Sequence, residues 1–279
     1  MENQSLPLYK VLSIAGSDTG GGAGIQADIK TITALGGYAT TAIAALTAQN
    51  TLGVQALLEV PASFVGQQID AIMTDIGADV VKTGMLRRRD VVEIVCHKMN
   101  EYHVKCLVVD PVMLSKNKKE LLAPDAIDAL ISRLLPLSFL VTPNIPEAER
   151  ISGIEIHNLS DTEEAAKRIY QLGASNVLIK GGHAPFPVDI KNKDKVVDVL
   201  YDGKSVTHFD NKRIENKAIH GTGCVYASAI ATYLAKGYPL CDAIGGAKKF
   251  LTTAMEAAIK PGRGYEVLRL GLYPQRYSL

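Results

Sequence analysis

The chain has 279 residues, 47% of them hydrophobic and 21% charged, with a net charge of +1. Such a length can bury a large core, and a charge this near zero gives no basis for binding a polyanion or an anionic membrane. No apolar run approaches the roughly 20 residues that span a bilayer, and Met1–Lys10 is too short and polar for a secretory signal, so the expected location is the cytoplasm, with neither nucleic acid nor membrane as partner.

Val11–Gly16 reads as a buried strand ending in a glycine turn, and Ala23–Leu35 as the helix that follows. Thr40–Leu46 and Val54–Val60 are further strands. Pro61 opens a helix running to Asp75, with Phe64, Ile69, Ile72 and Met73 on its apolar face. Val80–Gly84 is a strand, Asp90–Tyr102 a helix, and Cys106–Asp110 a buried strand stopped by Pro111. Asp125–Leu134 is predicted helical, Phe139–Thr142 extended up to Pro143, Thr162–Leu172 helical and Val177–Lys180 extended up to Gly181-Gly182. Val196–Tyr201 and Ser205–Phe209 flank Asp202-Gly203 as a β-hairpin. Gly223–Ala235 and Leu240–Ala258 complete the chain as two helices.

Short apolar strands alternating with helices predict an α/β fold with a mostly parallel sheet covered on both faces and a late antiparallel hairpin. No linker or repeat divides the chain, so one domain over residues 1–279 is expected. Residues 184–195 are polar, with Pro and Lys, and are expected to form a flap. Of the four cysteines, Cys96, Cys106 and Cys241 lie in apolar contexts and are expected in or near the core. None forms a C-x-x-C pair or zinc spacing.

Ligands of such sheets bind beyond the carboxyl ends of the strands. There the sequence places Asp18, Lys82, Asp110, Asn144, Glu147, Lys180 and His183. Gly22-Ala23-Gly24-Ile25-Gln26-Ala27 formally matches a dinucleotide fingerprint, but no acid stands about 20 positions on, so it reads as backbone closing over a small ligand, with Asp28 one turn inside. No G-x-x-x-x-G-K-[ST] phosphate loop occurs. The remaining anion cradle is His220-Gly221-Thr222-Gly223-Cys224, a flexible lead into a helix whose first amides are free. Cys224 would sit beside the bound anion, and a helix N-terminus should lower its pKa. Lys180 could hold a phosphate as a point charge. Asn144 and Glu147 suit either helix capping or an acid near a cation, and Asp110 too could face Mg²⁺.

Taken together these segments resemble the ribokinase-like superfamily, and within it the hydroxymethylpyrimidine/phosphomethylpyrimidine kinases of thiamine biosynthesis. The resemblance rests on Ala15–Asp18 with Gly21–Asp28, Ala48–Thr51, Lys82–Met85, Asp110–Met113, Thr142–Glu147, Lys180–His183 and His220–Cys224. It implies a three-layer α/β/α fold, and ATP- and Mg²⁺-dependent phosphorylation of 4-amino-5-hydroxymethyl-2-methylpyrimidine and then of its monophosphate. It also implies that Gly221, Thr222, Gly223 and Cys224 form the anion hole, with Cys224 where the wider superfamily has a general-base Asp. Gln49 would read the pyrimidine edge, with Gly16, Ala23, Asp28, Met85 and Val112 completing the pocket. Lys180 and Asn144 would serve ATP, and Asp110 and Glu147 would organise Mg²⁺. A homodimer is expected on the same basis. A pyridoxal kinase on the same frame is the alternative; dual-specificity relatives carry Met where this chain has Gln49. A nucleotide-binding protein without catalysis is a more distant one.

Overall fold

Strands without alternating polarity must be buried on both faces, and those of this chain form the centre of one nine-stranded sheet. The computed structural model describes residues 7–114, 121–183, 195–214 and 219–271; residues 184–194 of the expected flap lie outside these. The strands are β1 (Lys10–Asp18), β2 (Tyr38–Asn50), β3 (Gly53–Glu59), β4 (Val80–Thr83), β5 (Leu107–Val109), β6 (Leu140–Val141), β7 (Val177–Ile179), β8 (Lys195–Tyr201) and β9 (Val206–Lys212). Their order in the sheet is β3-β2-β1-β4-β5-β6-β7-β8-β9. β2, β1, β4, β5, β6 and β7 are mutually parallel, and the β8–β9 hairpin is antiparallel at one edge, as expected. β3 folds back antiparallel on β2 at the other edge, a second hairpin that the sequence reading left as two separate strands.

Successive residues of each central strand enter opposite cores. Leu12, Val81, Leu107, Val109 and Val141 join one apolar cluster, while Val11, Val80, Val108, Leu140 and Leu178 join the other. The first core is covered by α2 (Ala62–Met73), α3 (Arg89–Glu101), α4 (Pro124–Ala129), α5 (Ile145–Ser152) and α6 (Leu159–Gln171). The second is covered by α1 (Gly24–Ala34), α7 (Thr222–Ala235) and α8 (Leu240–Glu256). The result is the expected three-layer α/β/α architecture.

Three local expectations are corrected. Phe64 is 54% exposed, and Val65 is buried in its place; the buried face of α2 runs through Val65 and Ile69, one residue out of phase with Phe64. The helix expected through Leu134 widens into a π-helical turn at Leu130–Leu134. Cys241 is exposed rather than in the core, because α8 turns Ala243, Ile244 and Ala247 inward instead.

The chain leaves β1 in opposite directions, to β2 on one side and β4 on the other. That is the topological switch point at which open sheets form their crevices. The carboxyl ends of the six parallel strands all reach this edge. Residues 219–220 (β10) lie across it, pairing in parallel with 266–267 (β11).

Candidate active site

The site begins at the N-terminus of α7. Gly221 caps it in the left-handed region, at φ 84°, leaving the first amides of the helix without intrahelical acceptors. Glycine is required there: a Cβ on residue 221 would collide with the Gly22 carbonyl oxygen and lie 3.3 Å from Ala23 Cα. The two glycine-bearing segments of the sequence therefore pack backbone to backbone.

Two buried lysine–aspartate pairs lie at this helix terminus. Lys180 Nζ is 2.7 Å from Asp110 Oδ1, and a Cβ added to Gly223 would lie 3.4 Å from that ammonium and 3.5 Å from Asp110 Oδ2. Lys82 Nζ bridges both oxygens of Asp28, at 3.0 and 2.9 Å, with both side chains fully buried. Ser13 and Ser228 donate to the same carboxylate. Burial favours a neutral Lys82, but Asp28, aided by Cys224 and Asp110, holds it charged and raises its pKa. Lys180 is likewise opposed by burial and raised by Asp110 and Glu147. Asp28 is thus enclosed and tied to Lys82, which the sequence reading places at a strand end without a role.

Lys180 is fixed from both sides. Its amide donates to the Pro143 carbonyl, and the next amide, of Gly181, donates to Asp198. Asp198 in turn accepts from Tyr226 and Lys248. Asn144 and Glu147 realise a reciprocal capping box at the start of α5, so the structural half of their dual reading is present. Burial pushes the Glu147 carboxyl up to about 7, Lys180 opposing and Asp110 adding to the rise. Among the described residues no group of three His, Cys, Asp or Glu side chains could hold a metal by itself.

Cys224 is half-buried at the third position of α7. Its thiol is not lowered, as the helix terminus alone would predict, but pushed up to about 11. Desolvation is the main cause; Lys82 and a hydrogen bond from the Gly24 amide oppose it, while Asp28 and Asp110 add to it.

Gly16 and Met85 are in contact, since a Cβ on Gly16 would overlap the Met85 methyl. The register of β1 on β2 shifts at Ala15/Gly16, and that of β2 on β3 at Ala48/Gln49. Such bulges re-aim side chains. Gln49 Nε2 lies 2.9 Å from His220 Nε2, and His220 Nε2 lies 3.2 Å from Asp18 Oδ2. Asp18 also accepts from the amides of Gly20, Gly22 and Ala23. Burial would raise its pKa, but these bonds and His220 bring it below the ordinary value. Val112 is half-buried on the loop beyond Asp110, its amide on the Asp110 carbonyl. The fold thus gathers the expected residues at one edge of the sheet, and gives His220, Asp18 and Lys82 of the same segments partners that the sequence did not show.

A family model described as phosphomethylpyrimidine kinase matches residues 18–269. The chain is 50% identical over 259 residues to the thiamine biosynthesis bifunctional protein ThiED of Geobacter sulfurreducens, covering 93% of this chain and 51% of that protein. It therefore spans about half of that relative. It is 42% identical over 260 residues to the hydroxymethylpyrimidine/phosphomethylpyrimidine kinase of Bacillus subtilis, covering 93% of this chain and 94% of that one. Among solved structures, the pyridoxal kinase of Staphylococcus aureus in complex with AMP-PCP and pyridoxal is similar with a TM-score of 0.85 at 33% identity, covering 96% of this chain and 95% of that one. The shared architecture is the ribokinase-like fold.

Proposed function

Because the chain belongs to the phosphomethylpyrimidine kinase family, we propose that it is the kinase of thiamine biosynthesis that phosphorylates 4-amino-5-hydroxymethyl-2-methylpyrimidine, and then its monophosphate, with ATP. The observation that carries this reading is the amide cradle at Gly221–Cys224 standing beside the Lys180–Asp110 pair and packed backbone to backbone on the Gly22 loop.

Phosphoryl transfer is mainly positioning and charge stabilisation. The amides of 221–224, at the positive end of α7, receive phosphoryl oxygens. Lys180 adds a point charge, and the backbone bridge between Asn144 and Lys180 keeps the start of α5 beside it. Lys82 supplies a second buried positive charge, neutralised in the resting site by Asp28. Gln49 reads the ring edge with one donor and one acceptor, while Gly16, Ala23, Met85 and Val112 close around the ring. A thiol at about 11 is mostly protonated at neutral pH, so Cys224 orients the acceptor oxygen rather than standing ready as a thiolate. A weak base suffices because the acceptor proton can leave late, to a phosphoryl oxygen.

Asp110 and Glu147 are the residues that would hold Mg²⁺. Two neighbouring buried carboxylates, one of them raised by burial and by the other's charge, fit a cation whose remaining ligands are phosphate oxygens and water. When bound, that ion neutralises charge on the transferred phosphoryl group. We take the kinase domain as 1–279, supported by its one continuous nine-stranded sheet. Self-association as a homodimer is supported by Leu46, Leu58 and Phe64, which are exposed on neighbouring elements at one sheet edge. No helix among the described residues is long and apolar enough to cross a membrane, and the four cysteines are unpaired, which supports a cytoplasmic location.

The test is ATP- and Mg²⁺-dependent product formation from the hydroxymethylpyrimidine, its monophosphate and pyridoxal in parallel. Turnover of both pyrimidines is expected; turnover of pyridoxal alone would favour the second reading, which the likeness to the Staphylococcus enzyme keeps open. Gln49→Met should lower use of the pyrimidine relative to pyridoxal, and an unchanged ratio would remove Gln49 from ring recognition.

A further inference from the structure

His220 leads the anion-cradle segment, yet its imidazole points away from phosphate chemistry. Its Nε2 meets two polar groups at once, Gln49 Nε2 at 2.9 Å and Asp18 Oδ2 at 3.2 Å. Asp18 is itself immobilised by amides of the glycine loop, from Gly20 at 2.8 Å, Gly22 at 3.1 Å and Ala23 at 2.8 Å. The same loop packs on the imidazole, since a Cβ on Gly22 would lie 3.1 Å from His220 Cδ2. The immobilised Asp18 carboxylate and the Gln49 amide therefore meet at a single ring nitrogen.

One ring nitrogen carries either a proton or a lone pair. If Nε2 holds a proton, it donates to the Asp18 carboxylate, and the Gln49 end that can face it is the carbonyl oxygen. If Nε2 holds a lone pair, it accepts from the Gln49 –NH₂, and Oε1 keeps its bond from Thr47 Oγ1 at 3.3 Å. The proton placement on His220 thus decides which end of the amide turns toward the imidazole, and so the order in which its donor and acceptor stand beside the substrate site. A 4-aminopyrimidine edge presents a donor beside an acceptor, so the order of the Gln49 groups matters. The register shift at Ala48/Gln49 places the side chain at this junction.

We propose that His220, anchored by Asp18, sets the orientation of the Gln49 amide and is thereby a specificity-determining positioning residue for the aminopyrimidine substrate. The proposal rests on the kinase reading above. It assigns Asp18 and His220 a role in choosing the ring, separate from the phosphate contacts of the residues that follow them.

The experiment compares His220→Leu, His220→Gln, Gln49→Met and the His220→Leu/Gln49→Met double variant of the full chain, with hydroxymethylpyrimidine and pyridoxal as acceptors. Losing one oriented hydrogen bond should raise the KM of His220→Leu for the pyrimidine by about tenfold. Its KM for pyridoxal should change much less. His220→Gln places an amide where Nε2 sits and should restore most of the loss. In the Gln49→Met background, His220→Leu should have no further effect, because a residue acting through Gln49 has nothing left to orient. Equal losses for both acceptors, a loss confined to kcat, or an undiminished effect without Gln49 would each overturn the proposal. Should His220→Leu fail to fold, His220→Asn, too short to reach Gln49 from the same backbone, makes the same comparison. A wild-type protein that phosphorylates pyridoxal but neither pyrimidine would instead remove the kinase reading on which the proposal stands, and the proposal with it.

Discussion

Helix α7 has a left-handed glycine at each end, and the pair makes a controlled test of the anion cradle. Gly221 has φ 84° and Gly237 has φ 82°, about 24 Å apart along the helix. Replacing either with alanine forces a Cβ into the left-handed region, at a cost of about 1–2 kcal/mol. At Gly237 that is all, since nothing lies within 4 Å of the added carbon. At Gly221 the carbon would also overlap the Gly22 carbonyl oxygen and stand 2.9 Å from the Gly22 carbonyl carbon. Restoring van der Waals contact requires the two glycine segments to part by roughly 1 Å. A displacement of that size at a site that works by positioning costs about a hundredfold in rate, or about 2.7 kcal/mol of activation free energy. Urea denaturation should therefore show a stability loss in both variants, the larger in Gly221→Ala. kcat at saturating ATP and acceptor should fall about a hundredfold only in Gly221→Ala. A Gly221→Ala enzyme with near-normal kcat, or a Gly237→Ala enzyme equally impaired, would refute the claim that the close approach at Gly22 shapes the cradle.

Two further predictions concern the charges beneath it. Lys82→Met leaves the Asp28 carboxylate fully buried without its ammonium partner, and should cost about 3–5 kcal/mol by chemical denaturation; adding Asp28→Asn should recover much of that, and a single-variant loss below about 1 kcal/mol would contradict the pair's burial. Cys224→Ala should bind ATP and pyrimidine nearly as the wild type does while turning over more slowly, and unchanged turnover would remove the thiol from the mechanism. In the ligand-free enzyme, alkylation of Cys224 should quicken with each rise in pH toward about 11; a plateau near neutrality would show that the helix terminus outweighs desolvation after all.

What the sequence revealed and what it hid follow from the range over which each effect acts. The cradle was readable because its signals are local: glycines whose backbone must turn, and a helix whose first amides are free by construction. The ends of β5, β6 and β7 were readable for the same reason, each apolar run stopping at proline or glycine beside a charged or polar residue. The antiparallel course of β3 was not, because a strand's direction depends on what it pairs with. Phe64 was misplaced because an apolar residue one step out of helical phase looks the same in composition as one in phase. Lys82 could be seen at a strand end, but its partner Asp28 lies 54 residues away, and only the sheet brings them together.

Cys224 shows how a local signal can be overruled. Its position at the start of α7 lowers a thiol pKa by the interaction of a partial charge with a thiolate. The surrounding fold removes water from the same thiolate and places Asp28 and Asp110 within its field. In a dry site the loss of hydration outweighs a partial charge, so the thiol stays protonated although its sequence context argues otherwise. The same dryness strengthens the fixed charges that remain, because Lys180 and Lys82 act in a medium that screens them weakly. Keeping the thiol protonated and strengthening the cationic cradle are two results of one burial. On the proposed kinase reading, a transition state that needs charge stabilisation more than proton removal gains from that exchange, and a protonated thiol at Cys224 suits it.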